Sequence, residues 1–189
     1  EIDFRESLTR RVALLAGLPV SVIDEVMSAR ITLAPGGREL VRTMKAHGGH
    51  AALVSGGFTQ FTSRVAALIG FDEHRANILH EADGRLAGTV AEPILGKEAK
   101  VHALDEIAGR LGKTPGDVIA VGDGANDLDM LGRAGLGIAF NAKTVLREVA
   151  DAAISVPYLD VVLFLMGVGR GDVERERLTR SDPPPAAPA

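Results

Sequence analysis

The segment AVGDGANDLDML, residues 120–131, places three aspartates and an asparagine among glycines directly after an apolar run. The residues DVIAV that lead into it have the length and the β-branched content of a short buried strand. Leu128 and Leu131 follow at the spacing of one helix face. In open α/β sheets, ligands collect where strands end and helices begin. The segment therefore predicts a strand, a loop and a helix, with a candidate site in the loop.

Short apolar strands alternate with helical patterns along most of the chain. Residues 1–30 have the spacing of two helices, and Asp83-Gly84 between two β-like arms is typical of a hairpin. Further helices are predicted over about 35–47, 58–69, 97–112 and 143–150, and further strands at 50–55, 117–123, 136–140 and 152–156. This alternation predicts an α/β fold with a parallel sheet and right-handed crossovers.

The composition is that of one ordinary globular domain. The 189 residues are 46% hydrophobic and 24% charged, and the net charge of −4 gives no reason to expect binding to nucleic acid or to a membrane surface. The absence of cysteine excludes disulfides and thiolate metal sites. The longest apolar run, VVLFLM, is far shorter than a membrane span, and the N-terminus lacks the apolar core of a signal peptide. These features favour a soluble cytoplasmic protein; they do not determine the oligomeric state, and a homodimer stays open.

The acidic loop has a functional and a structural interpretation. Carboxylate oxygens are the ligands that Mg²⁺ prefers, so Asp123 and Asp127 are candidates for a metal site. In the structural interpretation, Asp123 or Asn126 caps the following helix, and the helix dipole favours Asp127 in its first turn. Capping accounts for one or two of these residues, but not for four polar groups beside Gly122 and Gly124, where the backbone can come close to a ligand. We therefore favour the functional interpretation.

Two other segments have chemistry that suits an anionic ligand. Ser55, Gly56 and Gly57 follow the strand HAALV and offer a hydroxyl and bare backbone N–H groups to a phosphate oxygen. The alternative is an ordinary glycine turn in which Ser55 caps the next helix. Lys100 stands near the N-terminus of its predicted helix, against the preference set by the helix dipole, and an anionic partner would explain it. A solvated surface lysine is the alternative at that position.

Together these segments resemble the haloacid dehalogenase-type phosphatases and, among them, the phosphoserine phosphatases. VSGGF at 54–58 is similar to the second motif of that family, Lys100 in KEAK to the third, and VGDGANDLDML at 121–131 to the fourth. The segment DFRESLTRRVALLAGLP, from residue 3, is similar to the cap of the phosphoserine phosphatases. The order and the spacing of these motifs make a chance agreement improbable.

The resemblance also implies a domain organisation. Residues 1–30 correspond to part of a helical cap, residues 31–175 to a Rossmann-like α/β core with a parallel sheet, and residues 176–189, rich in proline, to a disordered tail. The first motif of the family, of the DxDxT type, supplies the nucleophilic aspartate and the aspartate that acts as general acid and base. No such segment occurs here. The core is therefore expected to lack its first strand, and the 189 residues alone are expected to be inactive.

The resemblance implies Mg²⁺-dependent hydrolysis of O-phospho-L-serine to L-serine and phosphate through an aspartyl-phosphate. Asp123 would bind Mg²⁺ directly. Asp127 would hold Asp123, a metal-bound water or Lys100 in place. Lys100 would neutralise charge on the nucleophile and on the phosphoryl oxygens.

Substrate binding is implied for five residues. Ser55 and the Gly56 backbone would hydrogen-bond the phosphoryl group, and Asn126 would contact the substrate or its phosphate. Arg11 would bind the substrate carboxylate, with Phe4 packing nearby. From the residues alone, the arginine also fits a solvated helix face. The alternative functions are a phosphatase for another small phosphomonoester and a non-catalytic fragment that binds Mg²⁺ or phosphate.

Overall fold

The computed structural model describes residues 4–178 and has the predicted α/β architecture with parallel strands. The helices are α1 (Phe4–Ala13), α2 (Val22–Arg30), α3 (Gly37–Ala46), α4 (Thr59–Ile69), α5 (Lys97–Arg110), α6 (Leu128–Arg133), α7 (Thr144–Arg147), α8 (Val161–Leu165) and α9 (Arg170–Leu178). The strands are β1 (Ala52–Phe58), β2 (Glu73–Asn77), β3 (Leu79–Ala82), β4 (Arg85–Val90), β5 (Ile119–Gly122), β6 (Leu136–Phe140) and β7 (Ala152–Ile154).

The strands within residues 4–178 form three separate sheets. Strands β5, β6 and β7 lie side by side and parallel, with Ile119 opposite Leu136 and Ile138 opposite Ala152. Strands β1 and β2 form a second parallel pair, and β3 and β4 form the antiparallel hairpin predicted around Asp83-Gly84. The loop after β5 and the end of β1 therefore belong to two parallel sheets.

Strand β2 was not predicted from the sequence. Its residues, EHRAN, begin with three polar side chains and lack the apolar alternation of a half-buried strand. The strand forms because its backbone pairs with β1, with Ala52 opposite Glu73 and Val54 opposite Arg75. Tertiary pairing thus overrides a weak local preference.

Strand β6 lies at the centre of the three-stranded sheet and is buried on both faces. Ile138 and Ala139 have no exposed surface. Ala139 packs with Leu131 in one apolar cluster, and Ile138 packs with Val162 in another. A parallel strand that is covered on both faces has a continuous apolar sequence, as LGIAF does. This packing fixes β5 beside β6 and so positions the loop that follows β5.

The first two helices share an apolar core with the hairpin. Leu8 and Val12 of α1, Ile23 of α2, and Leu79 and Leu86 of the hairpin are buried in a single cluster. Burying each such side chain stabilises the fold by about 1.5–3 kcal/mol. The structural unit that contains the predicted cap helices therefore includes a hairpin from beyond residue 30.

The connection between α1 and α2 is hydrogen-bonded to this hairpin in the manner of a third strand. The Gly17 N–H donates to the Leu86 carbonyl and the Leu86 N–H to the Leu18 carbonyl, both at 2.9 Å. The Val20 N–H donates to the Gly84 carbonyl at 3.0 Å. Backbone bonds and apolar packing together make the two helices and the hairpin one unit.

The last helix, α9, ends at Leu178 and so enters the segment predicted as a disordered tail from residue 176. Residues 179–189 of that tail and residues 1–3 of the predicted cap segment lie outside the described residues. No helix within residues 4–178 is both long and apolar enough to cross a membrane. The expected cytoplasmic location stays a prediction.

Charged residues around the start of β2 form a connected ionic network. One oxygen of Glu73 lies 2.7 Å from His50 Nε2 and pairs with Arg110, and the other lies 3.4 Å from Arg75. Arg75 also pairs with Glu106 at 2.7 Å. Partial burial raises the pKa of Glu73, but the hydrogen bonds from His50, Arg110 and Arg75 and the charge of Arg110 together lower it by more, so that the pKa lies below its ordinary value of 4.5. The ionised Glu73 carboxylate therefore stabilises the folded chain.

We expect Glu73→Gln to lower the free energy of unfolding at pH 7 by about 1–3 kcal/mol, because hydrogen bonds to a charged group are lost. A lowered pKa contributes stability that is complete above the ordinary pKa and disappears as the pH falls through the lowered value. The difference between the two proteins should therefore shrink below pH 4.5. Urea unfolding at neutral and acidic pH measures this difference in the free energy of unfolding. The control is Glu174→Gln, in an exposed pair with Arg170 on α9; equal losses in both variants would contradict the prediction.

Candidate active site

The predicted site segment forms a strand, a tight turn and a helix. Strand β5 ends at Gly122, a 3-10 turn spans Ala125–Asp127, and α6 begins at Leu128. Asp127 is buried, with 3% of its surface exposed, whereas Asp123 and Asn126 are exposed. The acidic loop therefore separates into an inner carboxylate and two outward polar groups.

Helix α5 carries Lys100 on its buried face. Lys100 shares the spacing of one helix face with the buried residues Ala103, Leu104 and Ile107. Only 8% of its surface is exposed. The alternative of a solvated surface lysine is therefore wrong, and the buried ammonium requires a partner.

That partner is Asp127. One oxygen of the carboxylate accepts a hydrogen bond from Lys100 Nζ in a buried ion pair. The other oxygen accepts the backbone N–H groups of Asp123 and Gly124, each at 3.1 Å, and so closes the 3-10 turn. Asp127, and neither Asp123 nor Asn126, thus caps this turn. Two buried charges are tolerated when they are paired and hydrogen-bonded; here both Asp127 oxygens accept hydrogen bonds, and Lys100 donates one of its three N–H groups to the pair.

Gly122 and Gly124 make room for side chains of their own loop. A Cβ atom on Gly122 would lie 2.5 Å from the Cβ of Asp127, and one on Gly124 would overlap Oδ1 of Asn126. The side chains of Asp127 and Asn126 occupy the space that these Cβ atoms would need, which explains why both positions lack a side chain. Close approach of this backbone to a ligand stays a prediction.

Asp123 faces an open cavity at the carboxyl ends of β5 and β6. The cavity has a volume of about 280 Å³ and is lined by Val121, Gly122, Asp123, Phe140 and Asn141. The Asp123 carboxylate makes no hydrogen bond or ion pair with residues 4–175, whose side chains the structure describes, so its oxygens are available to a ligand. Within the same range, no group of three or more acidic, histidine or cysteine side chains is placed to hold a metal ion.

Asn141 is a cavity residue that the sequence did not reveal. It has a positive φ of 46° directly after β6, and its N–H donates to the Ile154 carbonyl at 2.8 Å. Asparagine tolerates this backbone conformation better than most residues. An asparagine that follows an apolar strand is the one sequence signal that could have found it.

Ser55 lies within β1 and not in a glycine turn. The strand continues to Phe58, with an irregular register between Val54 and Phe58. Phe58, and not Ser55, occupies the N-cap of α4 and makes no side-chain cap. Ser55 Oγ instead accepts the Gly57 N–H at 3.0 Å. The capping alternative for Ser55 is therefore wrong.

Helix α5 brings these segments together. It packs against β1 and against the 3-10 turn that contains Asp127. The helix that carries Lys100 therefore contacts both the strand that carries Ser55 and the loop that carries Asp123. In the sequence these three segments are separated by tens of residues.

The two predicted cap residues, Phe4 and Arg11, lie in different surroundings. The Phe4 ring lies within 3.5 Å of the position of a Cβ on Gly56 and within 3.7 Å of one on Gly96, so it covers the end of β1 and the start of α5. Arg11 is exposed on the last turn of α1 and makes no hydrogen bond or ion pair with the side chains described for residues 4–175. The structure thus brings Phe4, but not Arg11, into contact with the predicted phosphate loop.

The sequence profile of the haloacid dehalogenase-like hydrolases matches residues 2–132 of the chain. The chain belongs to this family. The predicted family resemblance is therefore confirmed, and the Lys100–Asp127 pair lies at the carboxyl end of β5 in a member of it.

Phosphoserine phosphatases are among the most similar proteins. One from Mycobacterium tuberculosis is 52% identical over 174 residues, and one from Streptomyces coelicolor is 50% identical over 174 residues. Each alignment covers 92% of this chain and 42% of the relative, so the chain spans less than half the length of either. The solved phospho-aspartyl intermediate analogue of a phosphoserine phosphatase has a TM-score of 0.81 at 39% identity, covering 87% of this chain and 78% of that one.

We expect Lys100→Met to lower the free energy of unfolding by about 3–5 kcal/mol, because it leaves the Asp127 charge buried without its partner. The matched control is Lys97→Met on the same helix. Lys97 pairs with Asp129 at 3.5 Å, and both side chains are about half exposed. An exposed pair of this kind contributes about 1 kcal/mol or less. Urea unfolding measures the loss of stability in each variant. Similar losses would show that the buried pair contributes no more to stability than the exposed pair.

Proposed function

We propose that this chain is the larger part of the active site of a Mg²⁺-dependent phosphoserine phosphatase. The reaction is hydrolysis of O-phospho-L-serine to L-serine and phosphate through an aspartyl-phosphate. The observation that carries the proposal is the buried Lys100–Asp127 pair beside the unpaired carboxylate of Asp123. Family membership and the phosphoserine phosphatases among the relatives support the choice of reaction and of substrate.

Lys100 supplies the positive charge of the site. Its ammonium keeps two N–H donors after bonding Asp127, and these can neutralise the nucleophile and a phosphoryl oxygen. Because the ion pair holds the side chain in one position, little reorganisation is needed when the substrate arrives. Asp127 acts through Lys100 and through the backbone of Asp123.

Asp123 is the residue that would hold Mg²⁺. Mg²⁺ keeps several waters and binds through one or two carboxylates plus substrate phosphate oxygens, so a single free carboxylate at a solvent-open cavity fits its chemistry. When bound, the ion would offset the repulsion between an anionic nucleophile and the phosphate. The Asp127 bond to the Asp123 backbone fixes the position from which this carboxylate projects.

Three further residues would contact the phosphoryl group or the substrate. Ser55 Oγ already accepts the Gly57 N–H, which leaves its O–H free to donate to a phosphoryl oxygen. The Gly56 backbone follows directly in the same strand, and the exposed Asn126 amide lies over Gly124. Removing one well-placed donor of this kind typically costs about 10²–10³ in rate.

The nucleophilic aspartate is proposed to lie on a strand that the 189 residues do not supply. In the described chain no backbone ladder joins β1 to β5, and β1 is half-buried along its whole length. Both strands meet α5 or the turn packed on it, so a parallel strand between them would end beside Ser55 and Asp123. Its carboxylate oxygen would bond to phosphorus while the bond from phosphorus to the serine oxygen breaks, and the second aspartate of the same motif would protonate that oxygen. Water, deprotonated by the same aspartate, would then attack phosphorus, release phosphate and restore the carboxylate.

Substrate choice is assigned to the first helix. Phe4 covers Gly56 and so can exclude water from the bound ester. Arg11, on the same helix, has no ion pair among the side chains described for residues 4–175 and is therefore available to the carboxylate of phosphoserine. A phosphatase for another small phosphomonoester would not need this arginine.

We expect Asp123→Asn to reduce kcat/KM for phosphoserine by at least about 10²-fold, since the residue that would hold the metal is lost. The measurement is made on the full-length gene product that contains these residues, together with an NMR titration of Mg²⁺. The matched control, Asp129→Asn, removes a neighbouring exposed carboxylate that pairs only with Lys97 in the described chain. The proposal fails if Asp123→Asn keeps both Mg²⁺ affinity and activity, or if the unaltered protein does not hydrolyse phosphoserine.

We expect Arg11→Ala to separate two substrates that differ only by a carboxylate. Loss of a hydrogen-bonded charge costs about 1.5–3 kcal/mol, so kcat/KM for phosphoserine should fall about 10–150-fold, while that for phosphoethanolamine should change little. Arg10→Ala is the control, because Arg10 is exposed next to Arg11 and pairs with Glu6 at 2.5 Å. Equal losses for both substrates would remove Arg11 from carboxylate recognition.

A further inference from the structure

Asn77, the last residue of β2, has a buried amide with partners in two separate segments, Gly56 of β1 and Leu95 before α5. Only 2% of its surface is exposed. Its Nδ2 donates to the Gly56 carbonyl at 2.9 Å and lies 3.4 Å from the Leu95 carbonyl, and its Oδ1 accepts the Leu95 N–H at 2.7 Å. No site role was predicted for this residue from the sequence.

The first of these bonds acts on the irregular end of β1, which carries Ser55. The peptide between Gly56 and Gly57 is planar, and its C=O and N–H point in opposite directions. Asn77 holds the C=O, while the N–H donates to Ser55 Oγ at 3.0 Å. Asn77 thus fixes the peptide whose other side orients the Ser55 hydroxyl, and the O–H of that hydroxyl remains free to donate.

The regular backbone pairing between β1 and β2 does not extend to Gly56. The register between β1 and β2 is irregular from Val54 to Phe58, so the residues between them lie outside the regular pairing. Irregularities of this kind occur often beside active sites, where they redirect a side chain. Here the side chain of Asn77 takes the place of a strand neighbour for Gly56.

The second bond acts on the helix that carries Lys100. Leu95 directly precedes Gly96, the N-cap of α5, and Lys100 lies in the first turns of that helix. The hydrogen bond from the Leu95 N–H to Asn77 therefore fixes the point where the chain enters α5. A single amide connects the end of the strand that carries Ser55 to the start of the helix that carries Lys100.

We propose that Asn77 is a positioning residue of the phosphatase site, which aligns the Ser55 hydroxyl and the Lys100 ammonium on the same phosphoryl group. The inference rests on the proposed function and adds a residue to it. Asn77 touches neither the substrate nor the metal ion; it acts through the Gly56 peptide and the Leu95 N–H.

Thr62 provides a matched control. It is also buried, at 7% exposure, and its hydroxyl lies 3.0 Å from Nδ1 of His74 on the same strand as Asn77. This contact joins α4 to β2 and reaches no residue of the candidate site. Thr62→Val therefore removes a buried polar contact without changing the bonds to Gly56 and Leu95.

The experiment compares Asn77→Ala with Thr62→Val in the full-length gene product, using phosphoserine at a temperature well below both melting points. We expect Asn77→Ala to lower kcat about 10–100-fold, as for loss of a partner that orients a site residue. KM should change by less than about threefold, because the substrate contacts proposed for Arg11 and Phe4 remain. The affinity for orthovanadate, which mimics the transition state, should fall in parallel with kcat. Thr62→Val should lower the melting point and leave kcat unchanged.

Asn77→Asp covers the case in which Asn77→Ala does not fold. The carboxylate keeps an acceptor for the Leu95 N–H but has no donor for the Gly56 carbonyl, so kcat should still fall at neutral pH. A kcat within twofold of the unaltered protein, in whichever variant folds, overturns the inference. If the unaltered protein does not hydrolyse phosphoserine, the proposed function fails by itself. The orthovanadate affinities of the same variants then decide the role of Asn77, and unchanged affinities overturn it.

Discussion

The buried ion pair between Lys100 and Asp127 is the contact on which the rest of the candidate site depends. Taking two charges out of water costs several kcal/mol each, and only a close pair with further hydrogen bonds offsets that cost. Asp127 meets the requirement with one oxygen on Lys100 and the other on two backbone N–H groups of the loop after β5. The same carboxylate therefore holds the Lys100 ammonium, closes the 3-10 turn and fixes the backbone of Asp123.

The second constraint is that parallel strands bring their carboxyl ends to one edge. Strands β1 and β5 belong to separate sheets in the described chain, and helix α5 is the element that contacts both the first strand and the turn after the second. The site is therefore assembled from segments whose relative position depends on helix packing. Asn77 adds a direct link, because its amide joins Gly56 of β1 to the start of α5.

The unit of α1, α2 and the hairpin gives the site a cover. Its apolar core and the backbone bonds of the 17–20 segment to the hairpin hold it together, and the Phe4 ring contacts Gly56 and Gly96. A substrate held under such a cover would be shielded from water, which strengthens every electrostatic contact beneath it. This arrangement connects the packing of the first helix with the chemistry proposed for the sheet edge.

Local patterns were sufficient to predict the α/β class, the hairpin, and Asp123, Asp127, Lys100 and Ser55 as the residues of interest. These features follow from periodicity, from glycines and from polar groups at strand ends, which neighbouring residues specify. Strand β2, the inward direction of Lys100 and the bonds of Asn77 depended on partners tens of residues away. The sequence EHRAN is too polar to predict a strand, and an asparagine has no preference that reveals burial. Such features arise only when distant segments meet, because pairing and desolvation are properties of the packed chain and not of its local sequence.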